Sequence, residues 1–201
     1  VLSLLAALCI VAGSVNAEEP LTSVSWQELS DRRISARASS YLKLVPETEW
    51  MHSESERFIV HYTDAEEAHT VYVNAEIYYD WIAKTLGLDA GVSARKIHVF
   101  VFTDEMVWDK VLATHGPPHN PDAFTDGDEL FIKRDPYWLS PMKTMAHETA
   151  HVVLFRTIGR SVPLSLNEGF AEYISWRALA MQQGRSEYDL RVVQLVKPDR
   201  Y

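Results

Sequence analysis

Two histidines four residues apart, His147 and His151, bracket Glu148-Thr149-Ala150, and Asn167-Glu168-Gly169-Phe170-Ala171-Glu172 follows downstream. On a helix of about 3.6 residues per turn, that spacing puts both imidazoles on one face. A zinc ion can then engage both rings, and the carboxylate of Glu148 reaches a water held beside the metal. Glu168 offers a third ligand, with Glu172 one turn further on. This pattern requires two helices packed side by side, and its chemistry is that of a zinc-dependent hydrolase.

The local context agrees. Residues 142–158 contain no Pro or Gly and read as a helix, with Ser140 as cap, Pro141 in the first helical position and Gly159 as the stop. Met142, Met145, Ala146, Ala150, Val153 and Leu154 recur at three- and four-residue spacing and give the helix a face for burial. On such a helix, two buried imidazoles without partners would cost about 1–3 kcal/mol each, a cost that a shared metal removes. A second helix is expected over residues 165–179, opened near Pro163, with Leu166, Phe170, Ala171, Ile174 and Ala178 as its apolar stripe. As plain surface acids, Glu168 and Glu172 at i, i+4 would repel mildly.

Three protein ligands leave one coordination position for a water, whose pKa falls toward about 7. Glu148 projects about 100° round the helix from His147 and is placed to take the water's proton and pass it to a leaving amine. The reaction class is metal-assisted hydrolysis, most simply of a peptide bond. Two alternatives stand beside it: a zinc-binding envelope module without turnover, and a zinc hydrolase acting on an ester or a cell-wall crosslink.

The pairing of H-E-x-x-H with a downstream N-E-G-x-A-E-Y resembles the gluzincin metallopeptidases, and most closely the bacterial peptidase MA-like group. The resemblance spans roughly residues 56–180 and is strongest across 143–177. It implies that His147, His151 and Glu168 ligate one zinc ion and that Glu148 polarises the water. It also implies that Glu172 holds a ligand imidazole through its other ring nitrogen. The interval from His151 to Glu168 is slightly shorter than in thermolysin or aminopeptidase N, in keeping with a brief connection from Gly159 to Leu164. Zincins of this type continue into a helical lower subdomain, so a truncated C-terminus is expected. Tyr188 and Tyr201 are of the right type to stabilise an oxyanion, but no spacing selects either.

Residues 1–17 carry no charge, are apolar from Leu2 to Ala12, and end in Val15-Asn16-Ala17 before Glu18-Glu19-Pro20. This is the pattern of a signal peptide cleaved after Ala17, and it implies a secreted or periplasmic protein that contacts a membrane only if the segment stays uncleaved. The single cysteine, Cys9, lies inside that segment, so the mature chain has none to pair. The net charge is −9 and the pI about 5.3, with no basic cluster. Nucleic acid is therefore not an expected partner, and a peptide or protein substrate is.

The remaining pattern predicts an α+β fold of zincin type, a small mixed sheet backed by helices. Residues 18–55 read as an N-terminal extension with short helices over Ser25–Leu29 and Asp31–Leu44, and with Trp26, Tyr41 and Trp50 available to pack on the domain at 56–201. Strands are expected at Arg57–Tyr62 and Lys96–Phe102, and helices from Ala65 to about Leu86 (cap Asp64, stop Gly87) and from Thr103-Asp104-Glu105 to about Thr114. His115-Gly-Pro-Pro-His119 reads as a polar loop rather than a second metal site. Asp126-Gly127-Asp128 reads as a hairpin turn rather than a calcium site, since Asp126, Asp128 and Glu129 lack an EF-hand's later ligands. In zincins, the strand before the active-site helix rims the cleft and pairs with extended substrate. Glu129, Leu130, Phe131, Ile132 and Lys133 are the matching edge-strand candidate.

Overall fold

The computed structural model describes residues 21–88, 95–115, 121–134, 141–159 and 162–182. The leader pattern at 1–17, Ser140, His119, Tyr188 and Tyr201 lie outside these residues. No helix among the described residues is long and apolar enough to cross a membrane.

The fold is α+β. Its elements run α1 (Ala36–Leu42), β1 (Met51–Glu54), β2 (Phe58–Tyr62), α2 (Ala65–Thr85), β3 (Ile97–Phe102), α3 (Glu105–His115), β4 (Ala123–Asp126), β5 (Glu129–Lys133), α4 (Pro141–Ile158) and α5 (Leu164–Gln182). Five strands form one mixed sheet in the order β1-β2-β3-β5-β4. The three inner strands are parallel, and β1 and β4 close the two edges antiparallel to their neighbours. Parallel strands need cover on both faces, and period-2 alternation supplies an apolar set for each. Phe58, Val60, Ile97, Val99, Leu130 and Ile132 face α2, α4 and α5. Phe100, Phe102 and Phe131 face the other way, onto Tyr41, Trp50 and Trp108 from the N-terminal region and α3.

Local chemistry sets the boundaries. Asp64 caps α2 by accepting from Glu66 N and Glu67 N, and the chain leaves that helix through Gly87 at φ 66°. Asp104 does the same for α3, accepting from Met106 N and Val107 N. Pro141 opens α4, and Gly159 ends it at φ 82°. A positive φ at Gly127, the first residue of the β4–β5 loop, gives the tight turn that hairpin requires. The acids around the turn are engaged by cations and a hydroxyl: Asp126 by Arg37 at 2.7 Å, Asp128 by Arg156 at 2.6 Å and Glu129 by Ser35 Oγ at 2.6 Å.

Four expectations need correction. Glu129–Lys133 is not an edge strand, because β5 is paired on both sides, to β3 and β4, and its Glu129, Leu130, Phe131 and Ile132 are buried. Among the described residues the edge strand on that side is β4. Residues 51–54 belong to the sheet rather than to an extension, so the division at 55/56 falls within the β1–β2 hairpin. Met51-His52-Ser53-Glu54 lacks a β-branched or alternating apolar signature, which is why it did not read as a strand. Helix over Asp31–Leu44 shrinks to α1, because Asp31 turns back onto the backbone and guanidinium of Arg33 and Ser35 is the N-cap. Leu166 is 64% exposed. It lies about 80–140° round α5 from the buried stripe of Ala171, Ile174 and Ala178.

Candidate metal centre

α4 and α5 pack against each other, and α4 also packs on α2, β4 and β5. Small residues make the close approach possible: Ala146 and Ala150 of α4 and Ala171 of α5 are fully buried. His147 and His151 then project from one face of α4, their rings 4.7 Å apart at 80°. Glu168 comes across from the first turns of α5. Its Oε2 lies 3.5 Å from His147 Nε2 and its Oε1 3.7 Å from His151 Nε2.

The remaining ring nitrogens are occupied, which fixes the direction of each imidazole. His151 Nδ1 is 3.0 Å from Asn167 Oδ1, and His147 Nδ1 is 3.5 Å from Glu172 Oε2. Glu172 is itself held. Lys143 Nζ donates to its Oε1 at 3.0 Å and Trp176 Nε1 at 2.6 Å, and the ammonium sits 4.4 Å from the centre of the Trp176 ring. His147 first, then Lys143 and the indole N–H, hold the Glu172 carboxyl down at about 2 against its partial burial. Burial works against a charged His147. The carboxylates of Glu172, Glu148 and Glu168 together outweigh it and hold the imidazole above its ordinary value.

Glu148 lines the same cleft, reaches β4 with its carboxylate and is only 6% exposed. Thr125 Oγ1 of β4 donates to its Oε2 at 2.7 Å. Burial pushes the Glu148 carboxyl up, opposed by His147, His151 and the Thr125 hydroxyl. The cluster opens into a cleft of about 700 Å³. One wall is β4 with the residues just before it, and the floor is α4 with the start of α5. Leu154, Phe155, Val162 and Leu164 make one end apolar. No residue of β5 lines the cleft.

The donor set suits zinc. Tetrahedral bonds of about 2.0–2.1 Å put neighbouring donor atoms about 3.4 Å apart. Here the imidazole-to-carboxylate separations are 3.5 and 3.7 Å. One donor atom from each of His147, His151 and Glu168 lies within 4.8 Å of the other two, the one such His/Cys/Asp/Glu group among the described residues.

Comparison with protein-family models, with curated proteins and with solved structures finds no match for this chain.

The structure brings together all five residues singled out in the two helices: His147, Glu148, His151, Glu168 and Glu172. It leaves Glu129–Lys133 one strand away. Asn167, Thr125, Lys143 and Trp176 were not foreseen. Asn167 and Trp176 had a signal, since Asn167 adjoins Glu168 and Trp176 sits one turn after Glu172. Thr125 had none, because only the sheet order brings it to α4.

Glu172 supplies a test. Glu172→Gln keeps the size of the side chain but removes the charge beside His147 Nδ1, and zinc affinity is expected to fall about 10–100-fold in a chelator competition. Without metal, the raised His147 contributes stability that is fully present below pH 6.5 and is lost as the pH rises through its folded value. The same proton must leave Nε2 before a cation can bind, so any zinc affinity of the wild type is expected to weaken with acid from above pH 6.5. In Glu172→Gln this weakening begins at a lower pH. Equal affinity in both proteins at every pH removes Glu172 from the site.

Proposed function

We propose that this chain is an exported zinc-dependent peptidase of the gluzincin type, hydrolysing peptide bonds. The observation carrying this reading is the convergence of His147 Nε2, His151 Nε2 and the Glu168 carboxylate within 4.8 Å, in a cleft that also holds Glu148. His147, His151 and Glu168 would hold the ion, which when bound supplies Lewis acidity toward a carbonyl oxygen and a water molecule.

The chain's own groups do the rest. Glu148 is the proton carrier. Burial raises its pKa above the ordinary carboxylate value, the direction that favours a group which accepts a proton and returns it. The Thr125 hydroxyl holds Oε2, so Oε1 is the atom assigned to take a proton from water and deliver it to the departing amine. The outer edge of β4 borders the cleft and has no strand partner among the described residues. An extended peptide can add to it as a further antiparallel strand, passing its backbone over the cluster. The alternation that turns Thr125 toward α4 thus ties the proton carrier to the strand that receives substrate.

The deciding experiment is zinc stoichiometry of the purified chain, paired with cleavage of a mixed peptide library. One zinc per chain with library cleavage supports the reading. One zinc without cleavage of peptides, esters or cell-wall crosslinks favours a non-catalytic module instead. Thr125→Val removes only the hydroxyl. It is expected to lower kcat about tenfold or more at unchanged KM, with Thr125→Ser restoring most of the loss, since a hydrogen bond to a charged group contributes about 1.5–3 kcal/mol. An unchanged kcat in Thr125→Val removes the hydroxyl from the mechanism.

A further inference from the structure

Three histidines lie side by side on the face of the sheet opposite the metal cluster. His61 of β2 is central: its Nδ1 is 2.9 Å from His52 Nδ1 on β1, and its Nε2 is 2.9 Å from His98 Nδ1 on β3. All three rings are buried, and His98 Nε2 has no hydrogen-bond partner among the described residues. Segment 21–35 lies over this row. Val24 N donates to His52 O at 2.8 Å, and Ser53 Oγ donates to Thr22 O at 3.0 Å. The Trp26 indole packs on His52 and His61 at 5.5 and 5.6 Å, and Asp31 accepts from Lys96 N at 3.2 Å.

Counting protons shows what the row tolerates. Two ring-to-ring hydrogen bonds hold two protons, and three neutral imidazoles carry a third at one end of the row. A fourth proton fills the other end and charges a buried chain. A fifth must enter between nitrogens already facing each other at 2.9 Å and breaks a hydrogen bond.

We propose that the His52–His61–His98 row is an acid-operated latch that holds segment 21–35 on the sheet near neutrality and frees it on uptake of two to three protons. The surrounding charges relieve an imidazolium only in part: Asp31, Asp128 and Glu54 favour one at His98 and Arg95 opposes it, but burial outweighs them, and each acid has a partner of its own. Asp31 is paired with Arg33 at 2.7 Å, Glu54 with Lys96 at 3.2 Å and with Ser30, and Asp128 with Arg156 at 2.6 Å. Glu129 of β5 accepts from Ser35 Oγ at 2.6 Å, Arg37 of α1 pairs with Asp126 at 2.7 Å, and Arg95 Nη2 donates to Arg33 O at 2.9 Å. Burial holds all three histidines below 6.5, His98 at about 4 and His61 well below the ordinary value. The sign follows: closure is complete above about pH 6.5 and is lost progressively as the pH falls toward the depressed values.

The test is hydrogen exchange of the Val24 amide in the full chain, corrected for intrinsic rate, between pH 7.5 and 5. Uptake of two to three protons makes its protection fall at least about 100-fold per pH unit below 6.5, while amides inside α2 and α4 stay protected. His52→Gln with His61→Phe, or His61→Phe with His98→Leu, leaves one imidazole and limits the slope to about tenfold per unit. Either double variant suffices if the other does not fold. A wild-type slope of tenfold or less, unchanged protection at pH 5, simultaneous loss in α2 and α4, or a wild-type slope in a double variant each overturns the latch. None of these outcomes depends on zinc or peptide cleavage.

Discussion

Glu148→Gln is expected to reduce peptide turnover by about 10³-fold while zinc stays at one ion per chain, because a general base contributes about 10²–10⁴-fold. Glutamine has the same size and still accepts from Thr125 Oγ1 on its amide oxygen, so the buried pocket is not left with an orphaned donor. It cannot take up a proton at neutral pH. The measurement pairs kcat on a cleaved library peptide with metal analysis of the same sample. Turnover above about a tenth of wild type leaves the proton step without its assigned group. Loss of zinc in the variant instead makes Glu148 a ligand.

The second large effect belongs to Glu168. Glu168→Ala is expected to lose more than about 100-fold in zinc affinity, beyond what removal of a supporting group costs. Glu168 is 53% exposed, so its truncation leaves no cavity and no buried unpaired charge. The metal-free variant should therefore melt close to the metal-free wild type. Added zinc should raise the melting temperature of the wild type and not of the variant, since a ligand that binds only the folded state stabilises it by mass action. His151→Ala should behave alike, with a larger penalty to the metal-free fold because Asn167 loses its partner. Full zinc occupancy in Glu168→Ala would mean that another group supplies the third donor.

What the chain disclosed beforehand depended on how local the signal was. Helix ends written in caps and stops were legible to within a residue: Asp64 and Gly87 around α2, and Pro141 and Gly159 around α4. That the five candidate residues would cluster was legible because helical periodicity alone brings His147 to His151 and Glu168 to Glu172, and a single helix–helix packing, α4 on α5, joins the two pairs. The order of strands in the sheet was not. Glu129–Lys133 and Ala123–Asp126 share one hairpin, and nothing in either says which pairs with β3 and which is left at the rim. The choice is made by long-range burial of Leu130, Phe131 and Ile132 on both faces. Thr125 went unseen for the same reason. Met51–Glu54 was missed because its buried side chains, His52 and Ser53, are both polar and meet their partners, His61, Tyr62 and Thr22, only on other segments.

That first strand governs how the protein can be divided. A fragment beginning at Arg57 would strip β2 of its outer neighbour, leaving a raw row of amide and carbonyl groups beside Phe58, Val60 and Tyr62. Such a border invites other molecules to stack against it, so the shortest soluble piece has to start well upstream, before Val24.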